Sequence, residues 1–211
     1  MSEVFSYTET KNGKVFISWQ GKTVTTLAGE GAQRFLTDMT VGVDRINQLV
    51  EDLRRYTKAR SETEYGEHPV HEMIVDAIEL FRATTRRSHV IETSLSPTRA
   101  IRANKGALQQ VTLNLLQNAA DATPSGGKLR VSTRDEEEGV ILEVADEGEG
   151  IPRDVQDRMY EPLFTTKSGG TGLGLSIVRR IVEEHHGTID CESAPDRGTT
   201  FRVRFPPAAG V

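Results

Sequence analysis

The sequence predicts an α/β protein: a two-layer α/β sandwich preceded by a small β-meander and a long helix. Three observations carry this. After residue 68, apolar residues recur at helical spacing in three separate stretches. Five stretches of strand character lie around them, bounded by Gly, Pro, Asn and Asp turns. Near the start, Leu36, Met39, Val43, Ile46, Val50 and Leu53 are spaced 3, 4, 3, 4, 3, the seam of one long amphipathic helix.

Composition limits the function classes. The chain has 211 residues, 36% of them apolar, enough for one large domain and a smaller appendage. A net charge of -5 disfavours nonspecific binding to nucleic acid. The single cysteine, Cys191, excludes an internal disulfide or a cysteine-based metal cluster. No apolar run reaches the roughly 18 residues of a membrane span, and no apolar signal segment opens the chain. A cytoplasmic protein without its own membrane span is expected.

Residues 1–28 read as a small β-rich module. Val15, Ile17 and Trp19 alternate with Phe16, Ser18 and Gln20, and Asn12-Gly13 and Gln20-Gly21 supply turns. Trp19 is read as packing. The long helix follows over 29–62. Phe35 and Leu49 broaden its stripe, and Glu51, Asp52, Arg54 and Arg55 lie off the seam. Such a stripe needs a cover, either the preceding strands or a second copy of the chain. A homodimer through residues 29–60 is the expectation. Residues 58–69, with Gly66 and Pro69, read as a linker to a second domain over 68–211.

In that domain Val70–Phe81 shows one apolar face, and residues 88–95 read as a strand. Asn104 is placed to cap a helix whose buried face is Leu108, Val111, Leu115 and Ala119 and which ends near Thr123. Residues 128–133 and 140–144 read as paired strands joined by an acidic, solvent-facing tract. Residues 173–186 form a helix, and 187–192 and 198–205 close the sheet. Three helices against a mixed sheet of about five strands make the two layers.

The stretch Asp146–Leu175 carries the chemistry. Two glycine-rich turns flank a short segment, and the second leads into a helix, the order expected where a helix start holds phosphate. Asn114 and Asn118, four apart, share one helix face. Their spacing alone fits either a ligand site or ordinary helix-surface bonding. Asn118 offers an oxygen to Mg²⁺, which takes oxygen ligands and shares them with phosphates. Asp146 ends an apolar strand and suits an exocyclic amine such as adenine's, although Asp and Gly also favour simple turns. Lys167 faces either phosphates or solvent, and Thr165–Gly170 suits a short lid. No Walker A spacing occurs. None of the five histidines forms a zinc pattern; His185 and His186 lie near a helix C-terminus, where a cation is favourable, and each histidine is read as structural or solvent-facing.

Four motifs in order then resemble the ATP-binding catalytic domain of sensor histidine kinases, within the wider group of gyrase, Hsp90, histidine-kinase and MutL ATPases. Asn114–Ala119 resembles the N box, Asp146–Pro152 the first glycine box, Glu161–Lys167 the F box and Gly170–Leu175 the second glycine box. The resemblance implies a sandwich of the histidine-kinase ATPase type, with ATP and Mg²⁺ as cofactors. It assigns Mg²⁺ to Asn118, the phosphate side to Asn114 and Lys167, and the adenine amine to Asp146. Gly148 and Gly150 make room for the base, and Phe164 anchors the lid. Thr166, Gly170, Thr171, Gly172, Leu173 and Gly174 lie along the phosphate-side turn. Hydrolytic members place a glutamate four residues before the magnesium asparagine; Asn114 stands there, which favours phosphoryl transfer, with Asn114 and Lys167 as the catalytic candidates.

The departure is upstream. Residues 1–67 contain no histidine, and residues 30–60 resemble only the second helix of the dimerisation and phosphotransfer domain. The resemblance therefore implies transfer to a histidine-bearing phosphoacceptor on another protein, with a response-regulator partner in two-component signalling. The alternatives are a noncatalytic nucleotide-binding regulatory module, or a truncated or recombined kinase lacking its own acceptor.

Overall fold

The computed structural model describes residues 5–19, 21–40, 42–43, 65–85, 88–167 and 169–208. The chain divides into two compact units, residues 1–51 and 52–211.

In the first unit, β1 (Phe5–Glu9), β2 (Val15–Trp19) and β3 (Lys22–Leu27) form an antiparallel sheet in chain order. The Asn12-Gly13 turn closes it: Gly13 N–H donates to Thr10 O and Thr10 N–H to Lys14 O, each at 2.9 Å. Helix α1 is described over 29–40 and 42–43. Val15 and Ala32 are buried, and Tyr7 meets Phe35 edge-on at 5.9 Å. Of the predicted seam, Leu36 is half-buried while Met39 and Val43 are exposed. Ile46, Val50, Leu53 and the rest of the helix expected to 62 lie outside the described residues, as does the linker over 58–64.

The second unit holds a five-stranded mixed sheet in the order β5-β7-β8-β10-β9. These strands are β5 (Val90–Leu95), β7 (Lys128–Glu136), β8 (Gly139–Asp146), β9 (Thr188–Ser193) and β10 (Thr199–Phe205). The β5–β7 pair is parallel and the others antiparallel. Helices α2 (Val70–Thr84), α3 (Lys105–Ala122) and α5 (Gly174–Glu184) pack on the sheet. Alternation decides which face they cover: Leu129, Val131, Val144, Phe201, Val203 and Phe205 point to the helices and are buried. Their neighbours Arg134, Glu143, Arg202 and Arg204 pair among the acids of the outer face. That is how an antiparallel sheet keeps one wet face.

Two elements depart from the expectation. The linker reading fails over Tyr65–Pro69, which is strand β4, paired antiparallel with β6 (Ala100–Asn104) in a separate two-stranded sheet. Gly66 and Pro69 gave the linker signal. Pro69, however, is the last strand residue and the N-cap of α2, where a missing N–H costs no ladder bond. The acidic tract is also not all connection. Strand β7 runs on to Glu136, where Glu136 accepts from Arg134 and Arg204.

Candidate functional site

The site is built on α3. Asn104 caps that helix, its Oδ1 accepting from Ala107 N–H at 2.9 Å, and Leu108, Val111, Leu115, Leu116 and Ala119 press its other face into the core. This fixes the rotation of the helix and turns Asn114, Asn118 and Asp121 away from the core. Asn114 Nδ2 donates to Gly174 O at 3.1 Å, and its Oδ1 accepts from Gln110 at 2.7 Å. Asn114 thus ties α3 to the first residue of α5. Asn118 Oδ1 accepts from the Lys167 ammonium at 3.4 Å. Its Nδ2 is buried without a hydrogen-bond partner among the described residues.

Asp146 ends β8 and is 7% exposed. Its Oδ1 accepts from Gly148 N–H at 2.9 Å and from Thr199 N–H at 3.2 Å. Burial pushes its carboxyl above the usual range; the two N–H bonds and the charge of Lys167 pull the other way. Gly150, at φ 69, runs so close to Ala194 that an added Cβ would lie 2.0 Å from the Ala194 oxygen. Backbone, as well as any base, therefore occupies the room this glycine keeps.

The F-box segment crosses the second glycine turn. Leu163 N–H donates to Gly172 O at 2.9 Å, and a Cβ at Gly172, φ 69, would meet the Leu163 carbonyl carbon at 2.4 Å. Phe164 lies under the Arg158 guanidinium at 4.3 Å and is not among the buried core residues, which here include Met159, with Tyr160 packed against them. Within the predicted lid, Lys167 N–H donates to Thr165 Oγ1 and Gly170 N–H to Lys167 O, each at 3.1 Å. Ser168 lies outside the described residues. Thr166 is exposed, and Thr171 Oγ1 accepts from Leu173 N–H at 3.4 Å.

The structure brings Asn118 and Lys167 together, and places Asn114 against Gly174. It also adds residues that the motifs did not name. Asp121 accepts from Lys167 Nζ at 3.1 Å, and Thr199 holds Asp146. Asp121 follows Asn118 by three on the helix, a spacing that could have found it. Thr199 pairs with Asp146 only across the β8–β10 ladder, which no local signal shows. An open cleft of about 700 Å³ opens beside them, lined by Asp121, Ala122, Gly148 and Asp196 among others. His185 is structural, as expected of the histidines: it is buried, both ring nitrogens are bonded, and burial holds its pKa below the usual value. No group of three or more His, Cys, Asp or Glu side chains could hold a metal among the described residues, and none of their helices could cross a membrane.

Residues 103–209 match the family described as histidine kinase-, DNA gyrase B- and HSP90-like ATPase. The chain is 43% identical to sporulation kinase A of Bacillus subtilis over 106 residues, which are 50% of this chain and 18% of that protein. It is 35% identical to sensor histidine kinase ZraS of Klebsiella oxytoca over 181 residues, 84% of this chain and 39% of that one. The chain thus spans well under half the length of these relatives. Among solved structures it is similar to the mycobacterial sensor histidine kinase MprB, at a TM-score of 0.62 and 28% identity, covering 69% of this chain and 99% of that one. The catalytic domain of histidine kinase ThkA matches at a TM-score of 0.60 and 34% identity, over 69% of this chain and 97% of that one. The matched region holds all four motifs, on the helix, strand end and crossing loops described above. The chain belongs to the histidine kinase-, DNA gyrase B- and HSP90-like ATPase family, as a domain capable of binding ATP.

Proposed function

We propose that this chain binds ATP with Mg²⁺ and transfers the γ-phosphoryl group to a histidine on a partner protein in two-component signalling. The contact of Lys167 with Asn118 carries this reading, because it joins the F box to the N box around a polar spot on α3. Asp146, within reach of the Lys167 charge, offers a carboxylate for the adenine amine. The residues fit the metal: Asn118 Oδ1 already accepts from a cation, the Lys167 ammonium, and an amide oxygen is a ligand type that Mg²⁺ takes. Mg²⁺, when bound, neutralises charge across the phosphates. Lys167 then contributes a second positive charge beside them. The start of α5 follows the second glycine turn and is tied to α3 through Asn114, and a helix start there suits phosphate.

Asn114 supports transfer over hydrolysis. An amide cannot act as a general base toward water, and this one spends its N–H on Gly174 O. This reading puts the acceptor on another polypeptide; what supports it is that residues 1–67, where the resemblance expects the phosphotransfer helices, have no histidine. The chain itself pairs as a homodimer through residues 29–60. The test is incubation with γ-labelled ATP and histidine-bearing or response-regulator partners. Acid-labile label on a partner is expected; label released only as free phosphate, under every pairing, would show a hydrolase and sink the transfer step.

A further inference from the structure

Lys167 makes two contacts with α3. Its ammonium lies 3.4 Å from Asn118 Oδ1 and 3.1 Å from Asp121 Oδ2. Asn118 and Asp121 are three residues apart, so their side chains share a helix face. Gln117 Nε2 donates to Asp121 Oδ1 at 3.0 Å, which steadies the carboxylate with its other oxygen on Lys167. The Lys167 and Asp121 side chains are 39% and 30% exposed, so the pair adds little to stability. Its location matters more. The ammonium occupies the oxygen of Asn118 on which the proposed function seats Mg²⁺.

We propose that Asn118 and Asp121 form one oxygen seat for a cation, held by Lys167 in the nucleotide-free protein and passed to the divalent ion when nucleotide arrives. The inference rests on the reading of Asn118 as the metal ligand and adds Asp121 to it. Mg²⁺ takes oxygen ligands and is commonly bound by one or two carboxylates together with substrate phosphates. Asn118 alone brings no negative charge; Asp121 brings one to the same face. The exchange is also self-consistent in charge. A divalent ion entering the seat repels the ammonium, which leaves for the phosphates that accompany the ion. Metal arrival therefore ends the contacts of Lys167 with α3. Asp121 is then a positioning residue in one state and a ligand-side charge in the other.

The test uses the full chain without nucleotide and Mn²⁺ as the probe, with free ion counted by electron paramagnetic resonance. Lys167→Met empties the seat, and Mn²⁺ affinity is expected to rise by about threefold or more. Asp121→Asn removes its charge, and affinity is expected to fall by about threefold or more. A merely structural role would not move the two variants in opposite directions. Equal affinities in all three proteins, weaker binding by both variants, or no binding by Lys167→Met overturns the proposal. ADP binding by the unsubstituted protein in EDTA is measured alongside. Its absence removes the nucleotide reading and leaves the opposed Mn²⁺ responses to stand or fall separately.

Discussion

Asp146 and Gly172 show two ways a single residue can be required here. Asp146 is buried, and only its Oδ1 is spent on the backbone, through Gly148 and Thr199. In Asp146→Asn the amide oxygen can keep both of those bonds. In the proposed ATP complex the new NH₂ would face the adenine amine, donor against donor, and the charge is gone. A hydrogen bond to a charged group contributes about 1.5–3 kcal/mol, so ADP affinity should fall by about tenfold or more. Calorimetry reads this, with the thermal midpoint as a check on folding; unchanged affinity would refute the adenine assignment. Gly172 acts through space alone. An alanine there would take a left-handed φ of 69 and press its Cβ to 2.4 Å from the Leu163 carbonyl carbon. A cost of about 1–3 kcal/mol is expected for strain of this kind, seen as a lower urea midpoint with an unchanged slope. A midpoint within error of the parent would mean that the crossing of the F-box segment over the second glycine turn yields freely.

At the level of elements, His185 links more of the fold than any motif residue. From the C-terminal end of α5 its Nδ1–H donates to Ile181 O at 2.7 Å, and its Nε2 accepts from Asn104 N–H, at the cap of α3, at 3.1 Å. Its ring stacks on Tyr65 of β4 at 5.2 Å and meets Phe205 of β10 edge-on at 6.3 Å. Burial lowers its pKa; the Ile181 bond and Glu184 oppose this, and His186 adds to it. A lowered folded pKa means that the unfolded chain takes up the proton first. The stability from His185 is therefore full above its ordinary pKa of 6.5 and is lost as pH falls through the window below it. Urea midpoints should drop from about pH 7.5 to about pH 5.5 in the parent and drop less in His185→Gln. Parallel pH profiles for the two proteins would rule His185 out as the source. The sequence showed neither this hub nor the β4–β6 pair. His185 contacts Asn104 across 81 residues, and the Tyr65–Pro69 strand carries two residues that usually break strands. The three helices and five sheet strands were legible because periodicity is local, and Asn104 was legible as a cap for the same reason. The short helix α4 (Arg153–Gln156) was not, since one turn is too short to show a period. Of the site, the residues in motifs could be read directly, whereas Thr199 depended on strand pairing.

At the scale of the whole molecule, the two units set different requirements. The core of the second unit is closed within residues 70–205, with Leu108, Leu115, Leu116, Leu129 and Leu142 fully buried. The described part of α1 is not closed in this way: Met39 and Val43, four residues apart on its seam, are 39% and 50% exposed. Exposed apolar residues in one row at heptad spacing are costly to leave in water, and a second copy of the same helix would cover them with the same spacing. The proposed homodimer therefore places its energetics on the seam and its nucleotide chemistry elsewhere. These can be separated. Sedimentation equilibrium of the parent should return about twice the chain mass of 23.3 kDa. Charges at both positions, in Met39→Glu with Val43→Glu, would repel across the seam and should return the single-chain mass. ADP affinity should stay within about twofold of the parent, because Met39 and Val43 belong to the first compact unit and the candidate site is built from residues of the second. A parent that sediments as a single chain ends the dimer proposal. A double variant that remains dimeric shows that the copies meet on another surface.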